Sequence, residues 1–233
     1  MNGFWAETGG LYQWADEGRA TTAFARFALG GNNDKCEADL FVPYSDRKGD
    51  IGSENGLGDI RLSGKYIPIR GGVLDLGAGV EASLPSGDHT RGLGAGELGG
   101  LLFATGAIHL GIADLRGHVG PEFFSGSAHQ GLASDRLVYG FGIHMPLGKY
   151  LALRNELSGV DVYDMKDGPK VVNYVPGLDL RIPVGNLDVL VRATGTMGVT
   201  TEAPAWGAGG SLVITSPTMR APASPGTGGV VVE

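Results

Sequence analysis

Polar and apolar residues change places at every second position over most of this chain. A two-residue period is satisfied by a strand with two unlike faces, and helical spacing hardly appears. In LGDIRLSGKYIP (57–68), Ile60, Leu62, Gly64 and Tyr66 alternate with Asp59, Arg61, Ser63 and Lys65. GVLDLGAGVEASL sets Leu74, Leu76, Ala78, Val80, Ala82 and Leu84 against Asp75, Glu81 and Ser83. YLALRNELSG sets Leu151, Leu153 and Leu157 against Arg154, Glu156 and Ser158, with Asn155 interrupting the apolar face. The pattern predicts twelve strands, over 3–15, 20–30, 35–44, 57–68, 72–84, 96–105, 107–120, 136–146, 149–162, 170–183, 186–199 and 206–215.

Their connections alternate in length. GGNND (30–34), IRGG (69–72), a tight turn near Gly106-Ala107, LGK (147–149) and VGN (184–186) form the short set. SDRKGDIGSENG (45–56), PSGDHTRGLGA (85–95), EFFSGSAHQGLASD (122–135), DMKDGP (164–169) and TEAPA (201–205) form the long one; only DEGR is short on that side. Successive connections of an up-and-down barrel lie at opposite ends, and bacterial outer-membrane barrels keep short turns on the periplasmic side. Pro68, Pro146 and Pro183 all fall beside short turns, where a residue that cannot donate to the ladder belongs.

A soluble β-sandwich shows the same alternation with its apolar face inward. Here the polar faces carry acids and bases in similar numbers at mid-strand. Many strands reach the roughly ten residues of a tilted membrane strand. Trp14, Tyr44, Tyr66, Tyr150, Tyr163, Tyr174 and Trp206 lie mostly near strand ends, as interfacial girdles do. Charged residues are 18 %, below the ~25 % usual for soluble domains. The fold class expected is therefore all-β: one antiparallel transmembrane β-barrel over 1–216, with a disordered Pro/Gly/Ala-rich tail over 217–233. The 42 glycines fit neither a collagen period nor a linker tract.

Other classes recede on composition. A net charge of −7 gives no nucleic-acid footprint. Cys36 stands alone, which excludes a disulfide framework within the chain. No apolar run reaches 18 residues, a test that is blind to membrane strands. MNGFWAETGG carries no basic region followed by an apolar core, so no export signal is visible in this chain.

One stretch resembles a known family. Gly56-Leu57-Gly58-Asp59 follows a polar loop and opens a strand ending in Lys65-Tyr66. Leu84-Pro85-Ser86-Gly87-Asp88 closes the next strand, and Gly92-Leu93-Gly94-Ala95-Gly96 follows. From about 35 to 125 this order is similar to the outer-membrane transporter family labelled "putative MetA-pathway of phenol degradation". The resemblance implies a barrel in the bacterial outer membrane that passes or binds small molecules, aromatic ones among them. Its partners would be the lipid bilayer and a small-molecule solute. The missing export signal and the absence of a terminal aromatic residue depart from that pattern.

The candidate site is the polar face. Asp59, Arg61, Lys65, Asp75, Glu81, Glu97, Asp114, Arg116, Arg154, Glu156, Asp179, Arg181 and Arg192 are expected to line a pathway through the lumen. The alternative is that the same charges only fill and rigidify a non-conducting, structural or ligand-binding barrel. A barrel-embedded hydrolase could recruit Ser83 or Ser158 with His118 or His144, but no local motif supports it. His89, His109, His118, His129 and His144 show no metal spacing, and the acidic loop 45–56 lacks the ligand spacing of a calcium loop. LGAGELGG lacks the strand-turn-helix setting of a dinucleotide fingerprint. No cofactor, no metal and no catalytic residue are expected.

Overall fold

A computed structural model describes residues 3–15, 18–31, 35–49, 52–126, 135–162, 170–201 and 203–216. The strands are β1 (Gly3–Ala15), β2 (Gly18–Gly31), β3 (Cys36–Gly49), β4 (Gly52–Leu57), β5 (Ile60–Ile69), β6 (Leu74–Leu84) and β7 (Gly99–His109). They continue with β8 (Asp114–Phe124), β9 (Arg136–Pro146), β10 (Leu151–Val162), β11 (Lys170–Val184), β12 (Leu187–Gly198) and β13 (Trp206–Thr215). Neighbours in sequence pair antiparallel, and β1 pairs with β13 to close the sheet. β4 and β5 are one strand of the wall broken at Gly58-Asp59: β3 pairs with β5 up to Phe41 and with β4 from Tyr44. The wall is therefore a closed twelve-stranded barrel. Closure satisfies every strand edge, which an open sheet in lipid could not do.

Two expectations about connections are corrected. The turn expected near Gly106-Ala107 lies at 110–113, between His109 and Asp114, where Gly111 takes a φ of +81°. Gly106 is a mid-strand residue facing Leu76 on β6; it accommodates a neighbour and does not reverse the chain. The expected loop 45–56 is a two-stranded extension of the wall, paired from Tyr44↔Leu57 to Gly49↔Gly52. The tail 217–233, Tyr163, His129 and the loop 164–169 lie outside the described residues.

The alternation becomes an outside and an inside. Leu62, Val80, Leu102, Val119, Phe141, Leu157 and Leu178 stand exposed on the outer wall. Asn155, the polar interruption on β10, accepts a 2.5 Å hydrogen bond from the Tyr174 hydroxyl of β11. Trp14 and Trp206 pair across β1 and β13 at the long-loop end, whereas Tyr66 and Tyr150 mark the short-turn end. An apolar belt between aromatic rims matches the profile of a bilayer.

Internal prolines coincide with gaps in the ladder. Pro43 stands where β3 changes partner, Pro121 where β7 and β8 skip two pairings, and Pro176 where β11 and β12 do. A residue without an N–H can sit in a strand only at such places.

The glycines follow a rule of the closed wall. Gly9 pairs with Phe24, Gly79 with Phe103, Gly99 with Phe124 and Gly140 with His118, all on the inner face. At Gly79 and Gly140 an added Cβ would overlap the partner's ring. Inward bulk thus rests on a bare neighbour, which lets large side chains share a narrow lumen.

Candidate functional site: a charged lumen

Because inward positions repeat every second residue, adjacent strands bring their polar side chains together in transverse rows. Oppositely charged residues meet across those rows. Lys65 Nζ lies 2.8 Å from Glu37, Arg61 lies 3.6 Å from Glu81, and Arg136 pairs with Glu122. Arg26 pairs with Asp39 and covers the Trp5 ring at 4.8 Å, while Arg61 covers Phe41 at 4.6 Å. Asp179 stands between Arg154 (3.7 Å) and Arg192 (3.5 Å), and Arg192 continues to Glu7 at 3.3 Å. At the short-turn end His109 lies 2.7 Å from Asp114 and 3.2 Å from Asp75; Arg116 reaches Asp114 at 3.1 Å, and Arg181 pairs with Asp188. Pairing offsets the cost of taking these charges out of bulk water.

The described residues enclose two cavities of note in the lumen. One, about 280 Å³, is lined at the long-loop end by Glu122, Arg136, Val160 and Asn173. It is lined at the short-turn end by Arg70, Asp75 and His109. A second, about 440 Å³, lies at the short-turn end among Asp114, Tyr150, Arg154, Asp179, Arg181, Asp188 and Arg192. Arg116, Gly142 and Glu156 border both. Beside them, Trp5, Ala28 and Val213 pack together with Leu190 into an apolar block near the short-turn end.

All the residues expected along the lumen border one of these cavities except Asp59 and Glu97. Asp59 sits in the break between β4 and β5. Its carboxylate accepts the Gly87 N–H at 2.9 Å and the Ala95 N–H at 2.7 Å. Glu97 accepts the Gly126 N–H at 2.9 Å and so joins two long loops. Period two counted Asp59 as inward, but the strand is broken there and its register ends. The segment 85–98 that Asp59 holds contains a 3-10 turn, His89–Arg91, and buries Leu93 against Gly56 and Gly58. Asp88 caps that turn, and the Thr90 hydroxyl and N–H hold its carboxyl below the ordinary aspartate value. Glu54 on β4 binds Arg91 and raises its guanidinium further.

The sequence reading did not select Glu7, Arg26, Glu122, Arg136 or His109, although each falls on the polar phase of its strand. It also passed over the inward aromatics. Phe24, Phe41 and Phe103 line the long cavity, and only their phase relative to Arg26, Asp39 and Thr105 could have shown it. Among the described residues no group of metal-ligating side chains is assembled, and no helix is long and apolar enough to cross a membrane.

No protein-family model and no curated protein match the sequence. Solved structures do match. An outer membrane channel from Pseudomonas putida F1 superposes with a TM-score of 0.63 at 14 % identity, over 92 % of this chain and 94 % of that one. The NanC porin superposes at 0.60 and 8 % identity, over 91 % and 98 %. The translocator domain of the autotransporter NalP from Neisseria meningitidis superposes at 0.58 and 16 % identity, over 92 % and 88 %. The fold is that of a bacterial outer-membrane β-barrel.

Proposed function

We propose that this chain is a passive, non-enzymatic channel of the outer membrane for small solutes, amphipathic and aromatic compounds among them. The observation that carries the reading is the cavity bordered by residues from both ends of the barrel. Its wall offers paired charges and, between them, Phe24, Phe41 and Phe103. Such a lining wets the lumen without presenting a field of one sign, and it offers apolar surface to a ring. The orientation follows from the loops, with the short turns periplasmic. The thirteen charged residues named from sequence then divide into a lumen set and the loop anchors Asp59 and Glu97.

The apolar block of Trp5, Ala28 and Val213 favours a second reading, a barrel closed to flux. Planar-bilayer recording with the refolded chain separates the two. Discrete, small conductance steps are expected, with radiolabelled solute entering liposomes at a rate that scales inversely with solute size. No steps and no flux would replace the channel with the closed barrel.

A further inference from the structure

Nearly every charged group of the lumen is matched by an opposite charge, and against that background one inward row is neutral. His118 on β8, Gly140 on β9, Ser158 on β10 and Asn173 on β11 are successive register partners. Their side chains share one level of the inner wall and border the long cavity. The imidazole lies over Gly140, where an added Cβ would overlap it, and so spans towards Ser158. Asn173 is 4 % exposed, yet its Oδ1 accepts no hydrogen bond from any described residue. Beyond the backbone ladder, the side chains of His118 and Ser158 make no hydrogen bond to any described residue. A buried amide oxygen left without a protein partner is costly, so it is open to a donor arriving through the lumen.

The next row towards the long loops is apolar: Val138 and Val160 are register partners, and Val160 pairs in turn with Val171. The next row towards the short turns is charged, with Glu156 across from Gly142 and Gly142 across from Arg116. A neutral donor–acceptor shelf therefore lies beside an apolar one, with the nearest charges a row away.

We infer that the row His118–Ser158–Asn173 is a recognition subsite for small uncharged amphipathic molecules that carry a hydroxyl group on an apolar ring or chain. The inference deepens the channel reading, since it names the class of solute that pauses in the lumen. The ring rests on the valine shelf, the solute hydroxyl donates to Asn173 Oδ1, and the Ser158 hydroxyl donates back to the solute oxygen. An anionic isostere loses the donor that Asn173 needs, and a hydrocarbon isostere satisfies none of the three groups.

The test is equilibrium binding, read independently of ion flow. The refolded full chain in micelles at pH 8, with histidine ring carbons labelled, is titrated with benzyl alcohol, benzoate or toluene while His118 resonances are followed. At that pH an imidazole with its ordinary pKa is neutral. Benzyl alcohol is expected to move the His118 signal saturably, with benzoate and toluene at least about tenfold weaker. The Ser158→Ala/Asn173→Leu double variant is expected to bind benzyl alcohol about tenfold more weakly while keeping heat-modifiable migration. Equal responses to benzyl alcohol and toluene, or a double variant that folds and binds like the parent, would overturn the inference. Should the double variant not fold, Ser158→Ala alone is read for the same loss. Bilayer recording on the same preparations keeps the two claims apart: conductance without selective binding sinks only the subsite, and selective binding without conductance sinks only the channel.

Discussion

Arg192 on β12 and Glu7 on β1 lie 185 residues apart in the chain and 3.3 Å apart in the lumen. Ser211, on the strand between them, donates its hydroxyl to the same Glu7 oxygen at 2.5 Å. The barrel seam is thus fastened from inside by side chains as well as by its ladder. Glu7→Ala leaves a buried guanidinium with one carboxylate fewer, and a loss of about 3 kcal/mol is expected. Urea unfolding in phospholipid vesicles measures it, and the Glu7→Ala/Arg192→Met double variant should recover much of the loss. An unchanged midpoint for the single variant would show that the fastening is idle.

The two faces of β5 make a sharper contrast. Leu62 is 47 % exposed on the outer wall, and Ser63 lines the long cavity. Leu62→Arg should destabilise the inserted barrel by about 2–4 kcal/mol if it lies near the bilayer midplane. Ser63→Arg should fold normally and change conductance. A harmless Leu62→Arg contradicts the assignment of faces.

Asn155 and Tyr174 give a matched pair in lipid. Tyr174→Phe strands the amide of Asn155 on the outer wall and should cost about 1 kcal/mol. Adding Asn155→Leu removes the stranded group, so the double variant should equal or exceed the parent in stability. Non-additivity in that double-mutant cycle is the readout; simple additivity would mean that the bond contributes nothing.

Asp59 holds the 85–98 segment by two backbone N–H groups. Asp59→Ala should leave the barrel folded and heat-modifiable while protease cuts within 85–98 become faster. The local cost is about 1–3 kcal/mol for the two unsatisfied donors. Cleavage at the parent rate would show that the anchor is dispensable.

Asp88 predicts how the same segment responds to acid. Thr90 holds its carboxyl below the ordinary value of 3.8, so the cap is fully present above that value. It is lost as pH falls through the lower folded value. The Thr90 amide resonance should therefore titrate with a midpoint below 3.8, and Asp88→Asn should abolish the titration. A midpoint at or above 3.8 would contradict the cap.

The fold was legible because lipid outside and water inside impose opposite polarity on alternate residues. The phase of β3, β5, β6 and β10–β12 could be read directly from Asp39, Arg61, Glu81, Arg154, Asp179 and Arg192. Legibility failed where a residue's reason was its neighbour and not its own strand. Gly106 looked like a turn because the side chain it accommodates, Leu76, is 30 positions away. Phe24 and Phe103 gave no sign of facing inward because the glycines that admit them lie on other strands. The neutral row was invisible for the same reason: its members become adjacent only through four strands in register.

The pairing of inward bulk with bare glycine has a consequence for how such a barrel diverges. Bore is written in couples such as Phe103 with Gly79, and not in the backbone. Trading the two members moves the obstruction one strand around the circumference, provided the wall gives where a Cβ at 79 would meet the Gly64 carbonyl at 2.7 Å. Descendants of one barrel can thus acquire differently shaped lumens while strand number and register stay fixed.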